Sequence, residues 1–213
     1  MTGGRSVLIL HNSVTHESSA DALDILEQMD CVRAALVSHG YEAPTLAINL
    51  NLDAAKARLR EYPPHAVFNL VEAIDDCGQL VAIATALLDH LQIPYTGCST
   101  EGLMITGNKV MAKRWLRAHG LATAEWWDGV STVPPHPAAG RWITKPVSED
   151  ASIGMDDSSV VDDFSQVPAR VRERETLRKY RWFAEQFIEG REINVALIDG
   201  PAGPQVLPIP EIE

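Results

Sequence analysis

The sequence is poor in cysteine and lacks the usual motifs of zinc and serine-hydrolase sites. Cys31, Cys77 and Cys98 are odd in number, widely spaced and outside any Cys-x-x-Cys pair, so neither a disulfide framework nor a zinc knuckle is indicated. We expect three buried, reduced thiols. The histidines form no His-Glu-x-x-His motif, and no Gly-x-Ser-x-Gly elbow is present. Composition and motifs therefore argue against metal hydrolysis and serine-hydrolase chemistry.

Positive charge and long apolar runs are also scarce. The chain has 18 Lys and Arg against 29 Asp and Glu, which gives a net charge of -11 and a pI near 5.0. Partners that present phosphate need a basic face, so nucleic acid and anionic membranes are not expected partners. The first apolar run, residues 7–10, is too short for a signal-peptide core or a membrane span. We expect a soluble, cytoplasmic protein.

The first half of the chain alternates between strand and helix patterns. With 213 residues and 46% hydrophobic content, the chain can form one large domain or two small ones, and the order of elements favours two. The predicted elements are strands at 7–10, 45–48, 66–68 and 93–97, and helices at 21–39, 53–61 and 80–91. This alternation predicts an α/β domain over residues 1–98, with a doubly wound, mostly parallel sheet.

The second half has a different pattern. A helix at 107–119 and a Pro- and Ala-rich loop at 134–140 precede strands at 141–147, 183–188, 193–198 and 206–213 and a charged helix at 165–179. Strands that follow strands favour antiparallel pairing, so residues 99–213 are predicted to form an α+β module.

Lys145 is the first candidate for chemistry. It ends the apolar strand Trp142-Ile143-Thr144, on the same face as Ile143, and the following loop contains the small residues Ala151, Ser152 and Gly154. A lysine and closely approaching backbone N–H groups can together bind phosphate. The alternative is a surface lysine before a turn-forming proline.

The octapeptide Glu185-Gln186-Phe187-Ile188-Glu189-Gly190-Arg191-Glu192 is the second candidate. An edge strand here could offer backbone groups to a purine, while Glu185 and Glu192 accept hydrogen bonds from its amino group and from ribose hydroxyls. The alternative is a solvated hairpin with charged ends.

A third segment comes close to a phosphate-binding P-loop. In Gly102-Leu103-Met104-Ile105-Thr106-Gly107-Asn108-Lys109-Val110, Asn108 separates the second glycine from the lysine, and Val110 stands where a hydroxyl is required. We reject the P-loop interpretation. Lys109 could still reach a nucleotide from the start of its helix, although a helix-surface lysine is the default explanation.

Taken in order, several segments carry a family resemblance. They are Val67-Phe68-Asn69-Leu70, Ile93-Pro94-Tyr95-Thr96-Gly97, Asn108-Lys109 with Lys113-Arg114, Leu116-Arg117-Ala118-His119-Gly120-Leu121, Lys145-Pro146, Ser152-Ile153-Gly154-Met155, the octapeptide above, and Leu207-Pro208-Ile209-Pro210-Glu211-Ile212. This ordered set resembles the ATP-grasp superfamily, and within it the D-alanine:D-alanine ligases and related carboxylate-amine ligases.

The resemblance implies a set of ATP contacts. Lys109 and Lys145 would contact the phosphates, and Glu149, Ser152 and Gly154 would lie on a mobile loop over them. Gln186 and Ile188 would present backbone groups to adenine, with Glu185 near its amino group and Glu192 at the ribose. The implied reaction is magnesium-dependent phosphorylation of a carboxylate, followed by attack of an amine on the acyl phosphate.

The chain also departs from the family pattern. Glu17 and Glu72 are the candidates for substrate binding, but the segments around them differ from the family's, as does Ala151 where serine is expected, so the substrate need not be D-alanine. The family's magnesium ligands are expected beyond residue 213, which suggests a truncated piece of a ligase of roughly 300 residues without full activity.

Two rival interpretations stay open. One is a non-catalytic nucleotide-binding or pseudo-enzyme module, and the other is an unrelated α/β protein in which these charges form surface ion pairs. Under the ligase interpretation, the resemblance implies small amino-acid or peptide substrates and a homodimer. A function in peptidoglycan biosynthesis would follow only for D-alanine.

Overall fold

The computed structural model describes residues 5–14, 20–132, 137–150, 153–178 and 180–212. Its first sheet is parallel, with the order β2-β1-β3. The strands are β1 (Val7–Asn12), β2 (Thr45–Ile48) and β3 (Ala66–Asn69), and the helices that accompany them are α1 (Ala20–Ser38), α2 (Leu52–Glu61) and α3 (Ala82–Leu91). The predicted alternation and the parallel sheet are confirmed.

The core of this first unit lies mainly on one face of the sheet. Leu8 and Leu10 of β1 pack with Leu59 of α2 and Leu88 of α3. Ile9 points to the opposite face and is fully buried, because successive strand side chains alternate between faces. The predicted fourth strand is reduced to a single parallel bridge from Tyr95 to Val67.

Two consecutive helices connect the first sheet to the second. The sequence patterns did not predict α4 (Thr100–Thr106), whereas α5 (Lys109–Ala118) was expected. The side chain of Asn108 caps α5 by accepting a hydrogen bond from the backbone N–H of Met111 at 3.0 Å. The backbone N–H of Lys109 donates to the carbonyl of Val147 at 2.9 Å. Capping and this bond together fix Lys109 at the first position of the helix.

The second sheet is antiparallel, with the order β4-β7-β5-β6. Its strands are β4 (Trp126–Trp127), β5 (Trp142–Pro146), β6 (Val160–Val161) and β7 (Trp182–Gln186), with α6 (Val167–Arg178) between β6 and β7. One face carries a core of Trp127, Trp142, Trp182 and residues of α6. On the other face, Phe183 packs with Val110 of α5 and with Val147. The predicted antiparallel module is confirmed.

The remaining strands are short. Strand β8 (Glu192–Ile193) pairs with β11 (Glu211–Ile212), and β9 (Leu197–Ile198) pairs with β10 (Gln205–Val206). The longer strands predicted at 193–198 and 206–213 are therefore each interrupted.

Two further observations concern predictions from composition. Cys31 and Cys98 are exposed and Cys77 is half-buried, all as free thiols, so the expectation of buried thiols is wrong. Within the described residues, each helix is either too short or too polar to cross a bilayer.

Candidate functional site

A cleft of about 730 Å³ lies between the start of α5, the second sheet and the segment that follows β7. Its lining includes seven of the nine residues predicted to contact a nucleotide: Lys109, Lys145, Glu149, Glu185, Gln186, Ile188 and Glu192. These residues come from three regions of the sequence. The fold therefore brings the lysines and the octapeptide into one concave site.

Lys109 lines the cleft, and its ammonium group is held by two residues of the loop after β5. Its Nζ donates to the carbonyl oxygen of Glu149 at 2.6 Å and to Oδ1 of Asp150 at 2.8 Å. The side chain of Asp150 is 88% exposed, so this ion pair is open to competition from solvent or an anion. Lys109 is thus placed to exchange a carboxylate for another anionic group.

Lys145 and Glu185 form the floor of the cleft. Ile143 of β5 pairs with Glu185 of β7, and Lys145 lies two residues further along β5 on the same face, as its strand position predicts. The Nζ of Lys145 is 2.8 Å from Oε1 of Glu185. The other oxygen, Oε2, is 2.7 Å from the Nζ of Lys113. One carboxylate is therefore shared between two ammonium groups.

The two lysines determine the charge state of Glu185. Burial by itself would raise the pKa of this carboxyl, but the hydrogen bonds from Lys113 and Lys145 outweigh it and hold the pKa of Glu185 below its usual value. Glu185 is thus ionised at neutral pH. Its partners keep it on the sheet surface, and any adenine contact would have to use the remaining lone pairs of its oxygens.

The end of β7 and the chain that follows it, from Gln186 to Glu192, also line the cleft. The expected edge strand at 185–192 is wrong in part, because β7 lies between β4 and β5. The backbone N–H of Gln186 donates to the carbonyl of Glu125 at 2.8 Å, so this group is already paired. Beyond Phe187 the chain leaves the sheet, and the side chain of Ile188 is exposed. The backbone groups that could bind a ligand are therefore those after Phe187, where the chain has left the sheet.

Glu149 occupies a different environment from that of a mobile-loop residue. Its side chain is buried and accepts a hydrogen bond from the backbone N–H of Gly78, in the first half of the chain. Burial raises the pKa of Glu149, the nearby Asp150 carboxylate adds to this, and the Gly78 bond and Lys109 oppose it. The carboxylate of Glu149 thus joins the two halves beside the cleft.

The remaining predicted residues lie outside the cleft or outside the described chain. Gly154 has a positive φ of 76°, and its carbonyl accepts a hydrogen bond from Nη1 of Arg174 at 3.3 Å. Ser152 and Glu17 fall outside the described residues. Glu72 is exposed; partial loss of hydration and the carboxylates of Asp24 and Asp150 raise its pKa.

Sequence reasoning gave no function to Lys113. This residue is 7% exposed. In the sequence it stands out only as part of the Lys113-Arg114 segment of the family resemblance. A stronger signal was available, because residues four apart on a helix share a face. If Lys109 faces the cleft, Lys113 must lie one turn further along the same side of α5.

The donor groups of the cleft suit a nucleotide better than a bare metal ion. Lysine ammonium groups bind phosphate as point charges, and acids at the opposite end can accept hydrogen bonds from hydroxyl groups. Across the described ranges, no group of three His, Cys, Asp or Glu residues could hold a metal ion.

Comparison with known proteins gives one consistent relationship. No family model matches the chain. The D-alanine–D-alanine ligase of Albidiferax ferrireducens is 31% identical over 182 residues, which are 84% of this chain and 50% of that protein. The same enzyme of Rickettsia felis is 24% identical over 94% of this chain and 59% of its own length. The chain thus spans about half to three-fifths of these curated relatives.

A solved structure agrees with the sequence relatives. The D-alanine–D-alanine ligase of Bacillus anthracis, in complex with ATP, superposes with a TM-score of 0.69 at 18% identity and covers 99% of this chain and 66% of its own. This similarity concerns the fold and, since it covers 99% of this chain, extends over both sheets. By sequence and by fold, the chain is similar to D-alanine–D-alanine ligases.

Proposed function

We propose that this chain is part of an ATP-dependent ligase that joins a carboxylate to an amine through an acyl phosphate. The observation that carries the proposal is the cleft itself, whose lining brings Lys109 and Lys145 together with the chain from Gln186 to Glu192. The named relatives are D-alanine–D-alanine ligases, and one structural neighbour was solved with ATP.

Different residues of this chain bind the phosphates, the base and the ribose of ATP. The ammonium groups of Lys109 and Lys145 bind phosphate oxygens and reduce the repulsion between the nucleotide and a carboxylate substrate. The backbone near Ile188 and the carboxylate of Glu192 receive the base and the ribose. ATP supplies the γ-phosphoryl group to the carboxylate, and an amine then displaces phosphate to leave an amide, ADP and phosphate.

Magnesium belongs to this reaction class, but the described residues offer no ligand set for it. Small amino acids or peptides are the proposed substrates, with Glu72 as a candidate partner for an amino group, since the carboxylates of Asp24 and Asp150 add to the negative charge around it. A homodimer, a cytoplasmic location and a function in peptidoglycan biosynthesis stay predictions.

Calorimetric titration with ATP, with and without magnesium, tests the proposal. We expect micromolar to millimolar binding by the wild type, weakened by about ten-fold in Lys145→Ala and in Glu192→Ala, since each variant removes one end of the site. Lys56→Ala, on α2 and outside the cleft, is the matched control. Absence of binding by a folded wild-type chain, or equal binding by all three variants, would overturn the assignment.

Phosphate release separates a ligase from a binding module. In a form of the protein that includes the expected magnesium ligands, assays with ATP, magnesium and single or paired amino acids, D-alanine included, should give phosphate only when an accepted amino acid is present. ATP binding by that form without phosphate release for any amino acid or pair would contradict ligase activity.

A further inference from the structure

We infer that Lys113 is a positioning residue of the cleft, which holds Glu185 so that Lys145 keeps positive charge available for a polyphosphate. The inference rests on the proposed function, because it concerns the phosphate end of the proposed nucleotide site. It assigns a function to a buried charge that the proposed reaction does not otherwise use.

The environment of Lys113 is unusual for a lysine. Only 7% of the residue is exposed, although lysines are almost never buried without a partner. Its Nζ is 2.7 Å from Oε2 of Glu185, donates to Oγ1 of Thr123 at 2.7 Å, and lies 5.5 Å from the centre of the Trp126 ring. Two oxygen acceptors and an aromatic face therefore fix the ammonium group in one place.

Glu185 forms ion pairs with two lysines and not with one. If Glu185 bound Lys145 alone, each charge would neutralise the other at the floor of the cleft. Lys113 instead takes Oε2, while Lys145 holds Oε1 at 2.8 Å. The three groups together carry a net charge of about +1, counted from two ammonium groups and one carboxylate at neutral pH. A phosphate chain next to Lys145 would experience this excess.

The shared carboxylate also sets the direction of Lys145. Lys145 is 32% exposed by its side chain, so it reaches the cleft surface, whereas Lys113 lies beneath it. Lys113, itself held by its hydrogen bond to Thr123, fixes one oxygen of the Glu185 carboxylate, so the second oxygen stays at a constant position. Lys145 is thereby held at the cleft floor without losing contact with solvent or ligand.

Structure alone does not account for a buried lysine at this position. Buried ion pairs contribute little net stability, and apolar residues of similar volume often serve equally well. A methionine could fill the space beside Trp126. The need to attract several phosphate charges to the cleft explains why a second cation lies next to Glu185.

The experiment compares ligands that differ in phosphate number. Adenosine, ADP and ATP are titrated by calorimetry into wild-type protein and into Lys113→Gln, Lys113→Arg and the control Lys56→Gln. Lys113→Gln keeps a donor for Glu185 but removes the charge. We expect ATP affinity to fall by about ten-fold and adenosine affinity by less than about two-fold, with ADP between them. Lys113→Arg should restore most of the preference for ATP, and Lys56→Gln should leave it unchanged.

The outcomes separate this inference from the proposed function. A uniform loss for all three ligands, or an unchanged ratio of ATP to adenosine affinity, would overturn the inference while the nucleotide site stands. A folded wild type that binds none of the ligands would overturn the proposed function and the inference together. If Lys113→Gln does not fold by circular dichroism, Lys113→Met is the second uncharged variant, with the same expected ratios.

Discussion

At the scale of single residues, the cleft is defined by which acids the lysines contact. Glu185 is half-buried between two lysines and stays ionised, whereas Asp150 holds Lys109 from an exposed position. The first contact is part of the permanent structure of the cleft floor. The second is an exposed ion pair, which contributes at most about 1 kcal/mol and can be displaced.

Asp150→Asn should therefore strengthen ATP binding. Its carboxylate competes with phosphate for Nζ of Lys109, and it repels phosphate from the same position. We expect an increase in affinity of about three- to five-fold, measured by calorimetry, in line with the strength of exposed ion pairs. Asp157→Asn, at an exposed position outside the cleft, is the control. Unchanged or weaker binding in Asp150→Asn would show that Lys109 does not meet the phosphates.

At the scale of elements, each face of the second sheet has a separate task. The face under α6 is an apolar core that contains Val167, Val171 and Trp182. The face under α5 carries Ile143, Lys145 and Glu185 and forms the cleft. Because adjacent strand residues point in opposite directions, alternate positions specify the core under α6 and the cleft face, where Phe183 also packs against Val110.

Val171→Ala should lower stability without changing nucleotide affinity. Val171 is 1% exposed, so truncation leaves a cavity and costs about 2 kcal/mol in the free energy of unfolding. Urea denaturation followed by circular dichroism measures this loss. Leu177→Ala, on the same helix but 66% exposed, should change stability by less than about 0.5 kcal/mol. A large loss of ATP affinity in folded Val171→Ala would contradict the separation of the two faces.

At the scale of the whole molecule, the two halves meet closely beside the cleft. A Cβ atom on Gly78 would lie 2.7 Å from the carbonyl oxygen of Ser148, so only glycine allows this approach. The same approach lets the Gly78 N–H reach the buried carboxylate of Glu149. The contact thus connects the first unit to the loop that follows β5.

The burial of Glu149 at this contact makes stability depend on pH. Because the pKa of Glu149 is raised above its ordinary value of 4.5, the folded state binds this proton more tightly than the unfolded chain does. The stability of the wild type relative to Glu149→Gln should therefore fall as pH rises from about 4.5 through the raised pKa, and then level off. Urea denaturation over this range measures the difference.

Glu101→Gln, at an exposed position of α4, is the control for the pH experiment. A wild type that gains stability relative to Glu149→Gln across the same pH range would mean that the Glu149 carboxylate is stabilised in its ionised form. The hydrogen bond from Gly78 and the charge of Lys109 would then outweigh the effect of burial, contrary to the prediction.

Much of the fold could be predicted from local patterns. Periodic apolar residues located α2, β2 and β3 closely, and the change from alternating elements to consecutive strands indicated the two kinds of sheet. The failures lie where a pattern is short or pairing is nonlocal. Helix α4 has only seven residues. The strands after β7 pair with each other over only two residues each.

The sequence by itself determined the residue types of the site and their order, because the lysines, the octapeptide and the strand alternation are all local properties of the chain. It also determined that Lys145 shares a face with Ile143. Only the tertiary structure decided that Glu185 binds Lys113 as well as Lys145, that Asp150 holds Lys109, and that Glu149 turns to Gly78. These contacts join residues 40 to 72 positions apart or depend on the packing of a helix on a sheet. That packing determines which of several oppositely charged groups each lysine or acid contacts.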